Sequence, residues 1–187
     1  YTDSSCPALL LEPQRTNIFK DGEYVASTLG VSNGGITYND VTSPEGLTNG
    51  HKFYENTSTS LHFARLGSVG VDTYTFSAYM KAAGRSKVLV TADYNNGAVF
   101  NLSTGAVDFY IGSGYAASVE DAGNGWYRCI AIFTTTASAT FYLSLLNDNN
   151  DTSYAGDGTS GVHIYGVQCE AGSYATSYIP TYGSAVT

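Results

Sequence analysis

The chain has 187 residues, with 16 acidic and eight basic side chains and a formal net charge of −8. That balance excludes a phosphate-tracking surface, which needs clustered Lys and Arg, so no nucleic-acid partner is expected. Charged residues make up only 13%, about half the usual share, and the polar surface must come from Ser, Thr, Asn, Gly and the 16 Tyr.

No helical period is sustained, while period-two alternation recurs between turn signals. The first third is the least regular; strands are predicted over Ala8–Glu12, Ile36–Val41, Gly50–Glu55 and Ser60–Phe63, with Ser43-Pro44-Glu45-Gly46 as a turn. Thr73 to Ala82 alternates cleanly. Tyr74, Phe76, Ala78 and Met80 share one face, and Thr75, Ser77, Tyr79 and Lys81 the other. Gly84 and Arg85 turn the chain into Lys87–Tyr94, and Asn95-Asn96-Gly97 is a hairpin turn, since Asn and Gly tolerate positive φ. Strands follow over Ala98–Leu102, Ala106–Ile111 and Ala117–Glu120. Gly123-Asn124-Gly125 turns into Trp126–Thr134, and Ala139–Leu146 and Val162–Cys169 close the series. Strands about ten residues apart with turn signals between them mark a sandwich or jelly roll. The expected fold is all-β, a two-sheet antiparallel jelly-roll β-sandwich, as one domain over residues 1–187.

Cys6, Cys129 and Cys169 cannot all pair within one chain, and none has zinc-type spacing. Cys129 and Cys169 fall in predicted strands as small buried hydrophobes; a Cys6–Cys169 pair requires the first and last strands to be neighbours. The longest aliphatic run, Ala8–Leu11, is far too short for a membrane span, so no membrane insertion is expected. No signal-peptide pattern is visible. The chain starts abruptly inside what reads as ordered sequence, as expected of a domain excised from a longer polypeptide.

Three segments, LLLEPQRTN (Leu9 to Asn17), GNGWYRC (Gly123 to Cys129) and GDGTSGVHIYGVQCEAGSYATSYIPT (Gly156 to Thr181), occur in an order and spacing that resembles a carbohydrate-binding-module-like jelly roll of phage tail and head-fibre proteins. Ser43 to Gly46 before His51-Lys52-Phe53, and TYTFSAYMKA, look like that family's turn-then-strand segment and first long core strand. The resemblance implies a non-catalytic module that binds a polysaccharide or cell-surface glycan. It places the protein on a virion surface or outside the cell, attached to the rest of a parent polypeptide, and allows a homo-oligomer. Related cellulose- and xylan-binding jelly rolls end their last strand with adjacent acidic residues that help hold a structural calcium. Here that stretch is Tyr165 to Glu170, which leaves Glu12 and Glu170 as oxygen ligands for such an ion.

The remaining candidates come from strand parity. Tyr79 and Lys81 oppose the apolar face of their strand, Tyr142 opposes Phe141 and Leu143, and His163 and Tyr165 oppose Val162 and Ile164. If these outward faces form one concave sheet, they make an aromatic wall for a neutral or weakly charged polysaccharide. Asp93, Arg128 and Gln168 would then supply directional hydrogen bonds. The alternative is an ordinary solvated face with cross-strand Tyr pairs. Trp126 and Arg128 share a face opposite Tyr127 and Cys129; Trp126 reads equally as a sugar platform or as core. Asn147–Gly158 lacks the sharp-turn glycine of a calcium loop and reads as a polar hairpin loop. Two rival functions remain: a jelly-roll lyase or hydrolase using His163, Tyr165, Gln168 and Arg128, and a purely structural or oligomerising fibre module.

Overall fold

The structure is a computed structural model that describes residues 12–23, 30–92, 96–112 and 116–187. Fourteen strands run in chain order: β1 Val31–Ser32, β2 Gly34–Val41, β3 Gly50–Glu55, β4 Thr59–Leu61, β5 Phe63–Val69, β6 Thr73–Ala83, β7 Lys87–Ala92, β8 Asn96–Asn101, β9 Ala106–Ile111, β10 Ala116–Gly123, β11 Trp126–Thr134, β12 Ala139–Leu146, β13 Ser153–Ala155 and β14 Gly161–Ala171. They form two six-stranded antiparallel sheets, ordered β1-β5-β12-β7-β8-β9 and β10-β11-β6-β14-β3-β2, with β13 and β4 as a separate pair. This is the two-sheet jelly-roll sandwich expected from the alternation. No helix among the described residues is long or apolar enough to cross a membrane.

The core lies between the sheets and is centred on Phe141 of β12. Its ring meets Phe133 edge-on at 5.0 Å, stacks near Phe76 at 6.3 Å and meets Phe19 at 5.9 Å. Tyr74, Phe76, Ala78 and Met80 all point into this core, as the period of β6 requires. Each large side chain so buried contributes about 1.5–3 kcal/mol. Phe19 reaches the core only because Gly67 has no side chain; a Cβ there would stand 2.6 Å from the Phe19 ring. Cys129 and Cys169 are free thiols in the same core, and burial pushes both thiols up. Cys6, and with it the Cys6–Cys169 pair, lies outside the described residues along with most of the predicted Ala8–Glu12 strand.

One end of the sandwich is closed by a buried ionic cluster. Glu55 is fully buried and accepts two hydrogen bonds from Arg85, at 2.6 and 2.8 Å, one from the Tyr154 hydroxyl at 2.6 Å and one from the Asp157 amide. Arg85 also lies over the Tyr154 ring. His62 packs beneath, with its ring nitrogens on the Asn33 and Tyr154 carbonyls. The cluster ties β3, the β6–β7 turn and the 147–160 loop together, and that loop carries β13 where the sequence suggested only a polar hairpin loop.

Burial alone would raise the Glu55 carboxyl, but the bonds from Arg85, Tyr154 and Asp157 outweigh it and hold it below its ordinary value of 4.5. A depressed folded-state carboxyl contributes stability that is complete above that ordinary value and is lost as pH falls through the folded one. Acid titration followed by urea denaturation should show a decline in stability below about pH 4.5 that is absent in Glu55→Gln. At neutral pH, Arg85→Met should cost about 3–5 kcal/mol by leaving a buried carboxylate unpaired.

Candidate ligand-binding face

Seven of the sequence-derived candidates do meet on one surface. Tyr79 and Lys81 on β6, Trp126 and Arg128 on β11, and His163, Tyr165 and Gln168 on β14 share the outer face of one sheet; Arg128 pairs with Tyr79, Tyr79 with Tyr165, and His163 with Lys81. Strict alternation would put Gln168 on the core side. A bulge between Tyr165 and Gln168, with Gly166 at φ 61°, resets the parity and turns Gln168 outward and Cys169 inward.

This face is nevertheless covered. Residues 172–183 lie across it as a strap. The Gln168 amide donates to the Ser177 carbonyl and accepts from the Ile179 amide, and Glu170 accepts from both the amide and the hydroxyl of Thr176. Arg128 donates to the Thr176 carbonyl and to Ser77, lies 3.9 Å from Glu120, and stacks over Tyr79. Tyr178 meets Tyr165 edge-on at 5.5 Å and donates to Glu23, and burial pushes the hydroxyls of Tyr165 and Tyr178 up. Trp126 is 1% exposed although it lies on this outer face, with its indole N–H donated to the Thr42 carbonyl, so it is buried outside the core between the sheets. His163 pairs with Asp40 at 2.9 Å; burial lowers its imidazole against the opposing pull of Asp40. Lys81 donates to the Asn124 carbonyl. Tyr165, Gln168 and Arg128 are therefore packed against the protein's own tail, while Trp126, His163 and Lys81 are held by Thr42, Asp40 and Asn124.

Glu12 and Glu170 converge on consecutive residues of the strap, for the Ser177 amide donates to Glu12 while Thr176 donates to Glu170. Among the described residues no group of three or more His, Cys, Asp or Glu side chains could hold a metal ion. Calcium takes six to eight oxygens, and carboxylates already facing N–H and O–H donors do not fit that demand.

Tyr142 is the candidate that moves. It lies on β12, in the other sheet, so it cannot join Tyr79 and Tyr165 in one wall; strand parity was read correctly, but the sheet was not. Its outer face is a shallow trough. In one row Tyr142, Thr91, Gly97 and Ile111 stand in register, and in the next Phe63, Ser144, Leu89, Val99 and Phe109. The centre is sunken, with Thr91 1% and Val99 0% exposed, while Phe63, Tyr142, Phe109 and Ile111 are half-buried at the sides. Phe63 and Tyr142 meet edge-on at 5.5 Å. The Thr91 Oγ1 is buried without a hydrogen-bond partner. Lys87, Asn101 and Asp108 form a polar lip, with Lys87 3.6 Å from Asp108. Asp93 lies outside the described residues. Ser144 shares the outward parity that the sequence sets for Tyr142, whereas nothing in the sequence singles out Phe63, Thr91 or Phe109, although the alternation of Lys87–Tyr94 sets Thr91 outward.

No family model matches the chain, and no curated protein matches it. Among solved structures it is similar to the CBM22-1 xylan-binding domain of Paenibacillus barcinonensis Xyn10C, with 11% identity and a TM-score of 0.45 over 86% of this chain and 94% of that one.

The strap is pinned by Asn17, whose fully buried amide donates to the Val167 and Ile179 carbonyls and accepts from the Phe19 and Cys169 amides. Asn17→Ala should cost about 2–4 kcal/mol, because several buried backbone groups lose their partner. Limited proteolysis of that variant should cut first within residues 172–183.

Proposed function

We propose that this chain is a non-catalytic carbohydrate-binding module of a phage-type structural protein. In this reading it binds a neutral or weakly charged polysaccharide at a virion or extracellular surface, in the trough of the sheet that carries Tyr142. The observation that carries this reading is an aromatic-sided sheet face with a polar lip of Lys87, Asn101 and Asp108, on the sheet opposite the one the tail covers. Pyranose rings offer C–H groups to aromatic faces and hydroxyls to polar side chains. Phe63, Tyr142 and Phe109 supply the first kind of partner, and Asn101 and Lys87 at the polar lip the second. The wording of the three segments quoted above supports the same class. Among the described residues Asp108 is the one carboxylate on this face, whereas glycoside hydrolysis uses a facing pair, which favours binding without cleavage.

Single shallow sugar sites give affinities of about 1 μM to 1 mM, and repetition on a particle multiplies them. The test is an affinity-gel and glycan-array screen of the chain, with Tyr142→Ala and Tyr79→Ala side by side. Tyr142→Ala should weaken binding by more than about 1 kcal/mol, the loss typical of an anchoring aromatic. Tyr79→Ala, on the covered sheet, should bind as the parent does. The opposite pattern would place the ligand on the strap side, and a blank across all glycans would leave a structural fibre element. Repeating the titration with calcium and with a chelator should change nothing, because Glu12 and Glu170 already face protein donors; calcium-dependent binding would restore the ion suggested by the sequence. Assay of the same mixtures for new reducing ends or unsaturated uronates tests the absence of turnover.

A further inference from the structure

We propose, resting on that reading, that the polysaccharide carries a singly charged acidic group at intervals, and that this group seats in a second pocket at the trough's edge, between Arg65 and Lys20. The pocket measures about 370 Å³, within the roughly 300–1,000 Å³ range of small-molecule sites. It opens between the segment around Phe19 and Lys20 and the β5 stretch from Arg65 to Ser68. It adjoins the trough directly, because Arg65 stands in register with Tyr142.

The charges in this pocket differ from those elsewhere. Arg85, Lys87 and Arg128 each face a carboxylate. Arg15 is held by Tyr174 and the Ala171 carbonyl, and Lys81 by the Asn124 carbonyl. Lys52 also forms no ion pair among the described residues, but it stands singly on the other sheet, in register with His163. Arg65 and Lys20 form no ion pair among the described residues, yet both line one cavity of a protein with a net charge of −8. Arg65 donates to the Ser68 hydroxyl at 3.2 Å, and Ser68 in turn meets Thr140 at 2.9 Å, so the guanidinium is steered without being neutralised. Asp21 also lines the pocket and leaves one net positive charge there. That suits a monoanion, a carboxylate or a sulfate half-ester, and disfavours a phosphate monoester with close to two charges. Arg presents a planar fork that matches a carboxylate bidentately, and Lys adds a second point charge. The remaining surface is acidic, but screening confines its repulsion to roughly 8–10 Å. An isolated acidic sugar is therefore attracted locally, while a densely charged polyanion is repelled.

The probes are gellan and glucuronoxylan, each beside its carboxyl-reduced form, with carrageenan as the sulfate half-ester and dextran as a neutral glycan. The parent, Arg65→Gln, Lys20→Gln and Tyr142→Ala chains are compared by calorimetry, with thermal melting to confirm folding. At least one acidic form should bind about tenfold more tightly than its neutral counterpart, the scale of one charge-assisted hydrogen bond. Arg65→Gln should abolish that preference and Lys20→Gln should reduce it; added salt should erode it in the parent. Preference for carrageenan over the uronates, lost in Arg65→Gln, would support the pocket and identify the half-ester as its anion. Equal binding of acidic and carboxyl-reduced forms, with Tyr142→Ala still defective, would overturn the pocket and leave the glycan reading standing. No binding of any probe would overturn both.

Discussion

Past Ile164, strand β14 loses its neighbour β3, and the peptide groups of Val167 and Cys169 would stand unpaired in a buried place without the Asn17 side chain. A buried backbone group without a partner costs about as much as a lost hydrogen bond, so that edge has to be occupied. The segment around Asn17 occupies it, with Ile18 and Gly22 adding backbone bonds to Cys169 and Val167. Once that segment is in place, Thr181 bridges the Phe19 carbonyl and the Gly22 amide, and the tail is drawn over the β6–β14 sheet. One unsatisfied edge thus sets the use of an entire face.

The two outer faces then follow different rules. Beneath the strap, polar side chains serve as fasteners: Gln168, Glu170 and Arg128 spend their hydrogen-bonding capacity on the backbone of residues 176–179. On the β5–β12 sheet, polar groups sit among aromatic rings, and one of them, the Thr91 hydroxyl, has no partner. An unpaired buried polar atom does not separate the two faces, because Arg128 Nε and His163 Nδ1 on the other sheet are also without partners. Fastening and the proposed recognition thus draw on similar residue types on the two faces.

Much of the fold was legible in the sequence because alternation is a local property. Thr73–Ala82, Trp126–Thr134 and Ala139–Leu146 declared both their extent and their two faces. Sheet membership was not legible, since it depends on pairings between distant strands; Tyr142 has the outward parity of Tyr79 yet lies on the opposite side of the molecule. Parity itself fails at bulges. Gly166 shifts Gln168 across β14, and the bulged pairing near Gly67 obscures β5, where Ala64, Leu66 and Val69 all face the core without keeping a period of two. Glu55, Arg85 and Tyr154 come from separate parts of the chain, and nothing local marks them as one cluster. The candidate site was legible as a residue type, an outward Tyr on a strand, but not as a place.

Trp126 is the only tryptophan, and it is buried on the strap side with its N–H held by Thr42. Stacked sheets stand about 10 Å apart, so a sugar in the trough would lie beyond the core from this indole. The chain therefore carries an intrinsic fluorophore that reports the packing around Thr42 and His163, on the sheet away from the proposed sugar site. Quenching or a spectral shift during a titration would signal a change in that packing, whereas a silent signal alongside measurable heat is what recognition on the far sheet looks like.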